Sequence, residues 1–336
     1  MKDVIILGIE SSCDETSMSI VKNGYIEIAT VTSTQMDTHA NFGGVVPEIA
    51  SRMHTESITL VLEELLKKSD ITIDDIDAIA VTYAPGLLGS LLVGIEFAKT
   101  LSLVYNKPLI PVHHISGHIF ANNLVKKIEY PTLALVVSGG HTEIVKMTSD
   151  YDFKVLGTTL DDAIGECFDK VARVLDLKYP GGPNVEKLAM LGKSTYNLPK
   201  PMDNDELNFS YSGLKSAVIN LVHNERQRGN EIRKEDLACS FQTIAIDEII
   251  RKTKIAIEKT RIKNLIVAGG VSANNYLRCE LERLCNELKV DLSIPSLKYC
   301  TDNGTMIACA AYPLYLKKEF TDLTLNGKSQ EYFFEK

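Results

Sequence analysis

Two rhythms of apolar residues alternate along this chain. Short, nearly continuous apolar runs at residues 4–10, 76–83, 108–112, 132–137 and 265–268 have the length and branched-residue content of buried strands. After the first of these, Met18-Ser19-Ile20-Val21 predicts a returning strand, and Asn23-Gly24 predicts a tight hairpin before Tyr25-Ile26-Glu27-Ile28. Between the strands the spacing changes. Ile49, Met53, Ile58, Val61, Leu62, Leu65 and Leu66 recur with helical period, which predicts a helix from Pro47 to Lys68. Further helices are expected from Ser90 to about Tyr105, from near His113 through Val125, from Asp161 to about Leu175, and from near Ala273. Strands and helices that alternate in this way predict an α/β fold.

The layout repeats. Residues 4–21 read as strand, small polar turn and returning strand, and residues 132–147 read the same way around Ser138-Gly139-Gly140-His141-Thr142. A third strand-to-glycine element lies at residues 265–274, followed by a helix. Two similar lobes facing each other across a cleft are therefore expected. We place the N-terminal lobe at 1–118 and the C-terminal lobe at 119–302, with a helix at about 303–325 packing back on the first. Residues 193–209, with Pro199 and Pro201, predict a surface excursion, and Tyr179-Pro180-Gly181-Gly182-Pro183 a third glycine turn.

Composition sets bounds. A chain of 336 residues can bury two cores. No secretory signal and no apolar stretch of membrane-spanning length are expected, and seven cysteines without a Cys-x-x-Cys pair predict reduced thiols in the cytoplasm. The net charge is −8, so any grip on nucleic acid must come from a local patch or from partners. Candidates for that patch are Lys67-Lys68, Lys126-Lys127 and the run from Arg251 to Lys263.

The most concentrated chemistry is His113-His114-Ile115-Ser116-Gly117-His118, where three of the chain's seven histidines fall within six positions. On a helix His114 and His118 stand at i and i+4 on one face, a spacing that lets both imidazoles reach one divalent ion. His113 lies about 100° round the helix from His114 and is the least suited ligand of the three. No Glu separates the pair, so the His-Glu-x-x-His pattern of zinc peptidases is absent. The glycine turns can cradle phosphate through converging backbone N–H groups, although no Gly-x-x-x-x-Gly-Lys-Ser/Thr loop is present. Asp161 and Asp162 read as acids complementing the start of their own helix, and Asp169, deeper in it, as the better partner for a ligand hydroxyl. Asp302 is an ordinary helix cap unless the fold carries it to the two histidines.

Several stretches together resemble the tRNA N6-adenosine threonylcarbamoyltransferase family, formerly described as O-sialoglycoprotein endopeptidases. They are Glu10-Ser-Ser-Cys-Asp-Glu-Thr16, His39-x-x-Phe-Gly-Gly-Val-Val-Pro-Glu48, His113-His-x-x-Gly-His118, Val137-Ser-Gly-Gly-His-Thr142, Tyr179-Pro-Gly-Gly-Pro183, Phe209-Ser-x-Ser-Gly-Leu-Lys215, Ala268-Gly-Gly-Val-Ser-Ala-Asn274 and Cys300-Thr-Asp-Asn-Gly304. The resemblance implies a duplicated actin-like ATPase fold, as in sugar kinases, heat-shock chaperones and actin. It also implies transfer of a threonylcarbamoyl group from threonylcarbamoyl-AMP to N6 of adenosine 37 in tRNAs reading codons that begin with A, with release of AMP. By motif, His114, His118 and Asp302 match the family's metal ligands, holding Fe2+ or, second, Zn2+. Val136, Val137, Ser138, Gly139 and Gly140 match the line along the substrate's phosphate and acyl part, while Asp169, Gly182 and Asn274 match its nucleotide contacts, joined in some branches by Glu186. No further catalytic side chain is assigned. The implied partners are tRNA, an adenine nucleotide, a same-fold paralogue and, in bacteria, a small P-loop ATPase, with no membrane. A same-fold ATPase or kinase is the alternative, and a metallopeptidase a distant one.

Overall fold

A computed structural model describes residues 2–202 and 204–331. The chain divides into two compact units, Met1–Ile128 with Pro295–Lys336, and Glu129–Ile294. The sequence placed these divisions after residues 118 and 302. The structure assigns the flanking segments to the first unit because the turn Ala121–Leu124 buries Ala121 and Asn122 there, and because Lys298 forms an ion pair with Glu27.

In the first unit, β1 (Ile5–Glu10), β2 (Glu15–Lys22), β3 (Ile26–Thr34), β4 (Ala78–Ala84) and β5 (Leu109–His113) form a sheet in the order β3-β2-β1-β4-β5. The first three strands are antiparallel, and β4 and β5 continue parallel to β1. The predicted hairpin turns at Asn23 and Gly24, whose φ values of 55° and 75° are those that a two-residue turn needs. The helices are α1 (Met36–Ala40), α2 (Pro47–Ser69), α3 (Leu88–Tyr105) and α4 (His114–Phe120). Alternation along β1 sends Leu7 and Ile9 into a core with Ile58, Val61 and Leu65 of α2 and Leu91 and Ile95 of α3. One expectation needs correction here. With 18 residues and a mean hydropathy of 1.4, α3 is long and apolar enough to cross a membrane. Leu91, Ile95, Ala98 and Leu101 of this helix belong to that core, while Leu88, Leu103 and Val104 are exposed.

The second unit repeats the plan. Strands β6 (Thr132–Val137), β7 (Thr142–Ser149), β8 (Asp152–Thr158), β9 (Asn264–Ala268) and β10 (Asp291–Ser293) order as β10-β9-β6-β7-β8, so β6 takes the place of β1 and β9 that of β4. Its helices are α5 (Ile164–Val174), α6 (Gly181–Ala189), α7 (Ser212–Gln227), α8 (Lys234–Thr260) and α9 (Asn275–Leu288). The closing helix α10 (Gly304–Lys317) belongs to the first unit and lies against β1.

Three local readings change. Gly181 and Gly182 are the first residues of α6 rather than a free turn, while α9, expected from near Ala273, begins at Asn275. Asp161 and Asp162 precede α5 and do not complement its start. Asp161 instead caps α7, accepting the backbone N–H groups of Tyr211 (2.8 Å) and Ser212 (3.2 Å), and Asp162 binds Lys170 at 2.9 Å and Lys215 at 2.5 Å. The excursion at 193–209 is a loop pinned to α8. Lys193 N–H donates to Asp236 at 2.8 Å, and Arg251 holds the carbonyls of Met202 (3.0 Å) and Asn204 (2.8 Å). Other cations of α8 are also engaged within the unit. Lys252 is fully buried and bonds the Glu206 carbonyl at 2.8 Å, Lys259 that of Asp205 at 2.8 Å, and Lys254 pairs with Glu287 at 3.0 Å. A helix whose cations hold its own protein is a poor phosphate track.

Candidate metal centre and the glycine turns

The chain turns sharply from β5 into α4. His113 ends the strand and caps the helix, its ring accepting the Ile115 N–H at 3.3 Å. The next residue starts the helix, so His114 and His118 share a face with ring centroids 4.7 Å apart. Asp302 arrives from the other end of the sequence. The cap of α10 is Asn303, which accepts the Met306 N–H at 2.9 Å, and this leaves the Asp302 carboxylate unspent. Close packing of α10 on α4 does the rest. A methyl group on Gly117 would lie 2.9 Å from Ile307 Cδ1 and 3.1 Å from Met306 Cγ, so these side chains would have to shift to admit one. Asp302 Oδ1 then sits 3.4 Å from His114 Nε2 and 3.1 Å from His118 Nε2, with one donor atom from each residue within 4.8 Å of the others. Two imidazole nitrogens and one carboxylate oxygen are a donor set that fits a divalent transition metal.

The sequence reading gave Glu10 no role in this site. It ends β1 with no exposed surface, and its carboxylate accepts the Ser12 N–H (2.6 Å), the Thr82 hydroxyl (2.6 Å) and, at 3.2 Å, faces His114 Nδ1. The available signal was an acid closing an otherwise apolar strand, a position where an unpaired charge is costly. Burial alone would raise the Glu10 carboxyl, but the His114 ring holds it below the usual carboxylate range. Asp302 is likewise penalised by burial and pulled down to about 2 by His114 and His118. Glu15 goes the other way: burial, then Asp302 and Asp14, push it up to about 10. Burial, reinforced by Asp14 and Asp302, raises the Cys13 thiol, so it is not a thiolate nucleophile.

These shifts give a pH dependence. Without metal, burial opposes the charged His114 ring, yet Asp302 and Glu10 overcome it and hold its pKa up to about 9. Their attraction stabilises the metal-free fold below the ordinary imidazole range and is lost as pH rises through about 9. Metal needs the deprotonated Nε2. Each ion bound below that pH therefore displaces a proton, and apparent metal affinity should climb about tenfold per pH unit towards 9. Metal titration across neutral and mildly alkaline pH measures the slope, and a flat profile would contradict it.

The remaining predicted residues gather within the second unit. The Ser138 turn closes through His141, with Ser138 N–H donating to the His141 carbonyl at 2.8 Å and Ser138 Oγ accepting the His141 N–H at 3.1 Å. The start of α5 docks beneath it, because a methyl on Gly165 would meet the Ser138 carbonyl at 2.6 Å. Gly139, Gly140, Gly182 and Gly270 differ from Gly165: a methyl on any of them would meet nothing within 4 Å. Packing does not demand glycine at these four positions. Val136 and Val137 are fully buried, so only their backbone can serve a ligand. Asp169 accepts the Gly181 N–H at 2.8 Å, and Glu186 accepts the Asn275 N–H at 2.6 Å. Asn274 caps α9 through the Leu277 N–H at 2.9 Å and donates to Gln242 at 3.0 Å.

Each unit thus carries the five-strand plan of the actin-like ATPase fold, and one of them adds a cluster of two histidines and a carboxylate. Solved structures share the fold. T. kodakarensis HypF matches 96% of this chain and 49% of its own at TM-score 0.64 and 13% identity. Component A of Acidaminococcus fermentans (R)-2-hydroxyglutaryl-CoA dehydratase matches 94% of this chain and 99% of its own at TM-score 0.55 and 14% identity. The family model TsaD, tRNA N6-adenosine threonylcarbamoyltransferase, matches residues 27–309. Proteins of that name from Staphylococcus haemolyticus and Bacillus thuringiensis are 51% identical over 329 residues and 54% identical over 328 residues, covering 98% and 97% of this chain and 96% of their own. The chain belongs to the tRNA N6-adenosine threonylcarbamoyltransferase family.

Proposed function

We propose that this chain transfers the threonylcarbamoyl group of threonylcarbamoyl-AMP to N6 of adenosine 37 in tRNAs reading codons that begin with A. The convergence of His114, His118 and Asp302 in a member of this family carries the reading. In the reaction the carbamoyl carbon forms a bond to N6, its bond to the AMP phosphate oxygen breaks, and N6 gives up one proton. AMP is a good leaving group, while an aromatic amine is a poor nucleophile. Catalysis therefore rests mainly on alignment and on compensation of developing charge. His114, His118 and Asp302 hold a divalent ion, iron before zinc, which when bound supplies Lewis-acid charge to the donor's oxygens. The backbone at Val136, Val137, Ser138, Gly139 and Gly140 lies along the phosphate and acyl group. Gly182 admits the nucleotide, and Asp169, Glu186 and Asn274 bind it or hold its turns in place, through the bonds each makes to α6 and α9.

The protein works in the cytoplasm on tRNA, with a same-fold paralogue and a small P-loop ATPase as partners. A same-fold kinase has no need for a two-histidine centre, and the family membership disfavours both it and a peptidase. The test is to incubate the chain and its partners with unmodified tRNA, ATP, threonine, bicarbonate and the adenylate-forming enzyme, then digest the tRNA for mass spectrometry. N6-threonylcarbamoyladenosine is expected, with no threonylcarbamoyl group on quenched protein. Unmodified adenosine throughout would overturn the function, and a labelled side chain would overturn direct attack.

A further inference from the structure

We propose that Glu10 is a positioning residue that sets which nitrogen of His114 carries the proton, and thereby whether the centre can hold metal. The inference rests on the reading of His114, His118 and Asp302 as metal ligands. Only a ring nitrogen without a proton can bind an ion, and each neutral imidazole has one such nitrogen. For His114 that atom must be Nε2, the one 3.4 Å from Asp302. The proton must then sit on Nδ1, and Nδ1 needs an acceptor.

Glu10 is placed to be that acceptor. Its Oε1 takes the Ser12 N–H at 2.6 Å, and that backbone group can only donate. Its Oε2 takes the Thr82 hydroxyl at 2.6 Å and lies 3.2 Å from His114 Nδ1. The carboxylate is fully buried. Ser12 Oγ also lies 3.2 Å from Nδ1, but a hydroxyl can donate or accept and so selects neither tautomer. Carboxylates behind metal-bound histidines set ring orientation and basicity in this way. The same residue ties the centre to the turn between β1 and β2, because Ser12 and His114 share it.

Glu10→Gln makes a nearly isosteric test. The amide oxygen must face the Ser12 N–H, since the NH2 group would oppose it. The NH2 group then faces Thr82 and His114 Nδ1 and donates to the ring, which moves the imidazole proton to Nε2. Metal affinity of the full chain, measured with Fe2+ under anaerobic conditions and with Zn2+, should fall about 10- to 100-fold in this variant, with an unchanged circular dichroism spectrum. Histidine nitrogen NMR of the metal-free variant, recorded at a pH where the His114 ring is neutral, should show the Nε2–H tautomer. Ser12→Ala should bind metal within about threefold of wild type, because the Glu10 acceptor remains. Unchanged affinity in Glu10→Gln, or an equal loss in Ser12→Ala, would overturn the role of Glu10. Failure of the wild-type chain to bind either ion would instead count against the metal centre itself, so the two failures are distinct.

Discussion

Replacing His118 with alanine should abolish stoichiometric metal binding and slow threonylcarbamoyl transfer by at least about a hundredfold, the usual cost of losing one preorganised electrostatic contact to a reacting group. His118 contributes little else. It is 2% exposed, its Nε2 faces Asp302, and its Nδ1 has no hydrogen-bond partner among the described residues. Loss of the ring leaves a small cavity, and cavities of this kind cost about 2–3 kcal/mol. His118→Gln keeps most of the volume and separates that effect from the lost ligand. Elemental analysis gives the metal content, nucleoside mass spectrometry the transfer rate, and thermal unfolding the fold. A His118→Ala protein that keeps both its metal and its full rate would remove the assigned centre.

Gly304→Ala should cost about 3 kcal/mol or more and strip the metal site with the same change, at the upper end of overpacking effects. The added methyl would stand 2.6 Å from the Gly8 carbonyl oxygen, 2.7 Å from Ser19 N and 2.8 Å from the Met18 carbonyl carbon. All three are backbone atoms of the sheet, so no rotamer can relieve the clash. Either α10 lifts from β1 or the helix start shifts. Asp302 is two residues away, and its distances of 3.1 and 3.4 Å to the two histidines depend on that start. Differential scanning calorimetry and metal titration of the same preparation check both effects. A variant with wild-type melting and wild-type metal affinity would show that α10 is not what places Asp302.

Much of this architecture was legible in the order of residues. The strands at 5–10 and 132–137, the hairpin at Asn23-Gly24 and the helix from Pro47 follow from apolar period and turn chemistry, which act over a few residues. The pairing of His114 with His118 is also local, because one helical turn joins them. The misreadings share one cause. Asp161 looked like a cap for its own helix and caps α7, 50 residues on, and Arg251, Lys252 and Lys259 of α8 looked free for a nucleic acid but hold the carbonyls of Met202, Asn204, Asp205 and Glu206. Local pattern shows which side chains are polar. It does not show which distant backbone groups need them.

By itself, then, the sequence determined the two matching halves, the strand-and-helix order, the histidine pair and the family. Only the tertiary structure decided that Asp302 meets that pair and that Glu10 stands behind it. Ligation and tautomer choice depend on atoms about 3 Å apart whose residues lie 104 to 188 positions apart along the chain. Such distances are set by how closely α10 packs on β1 and α4, at Gly8, Gly304 and Gly117, and close packing is a property of the folded core rather than of any window of sequence.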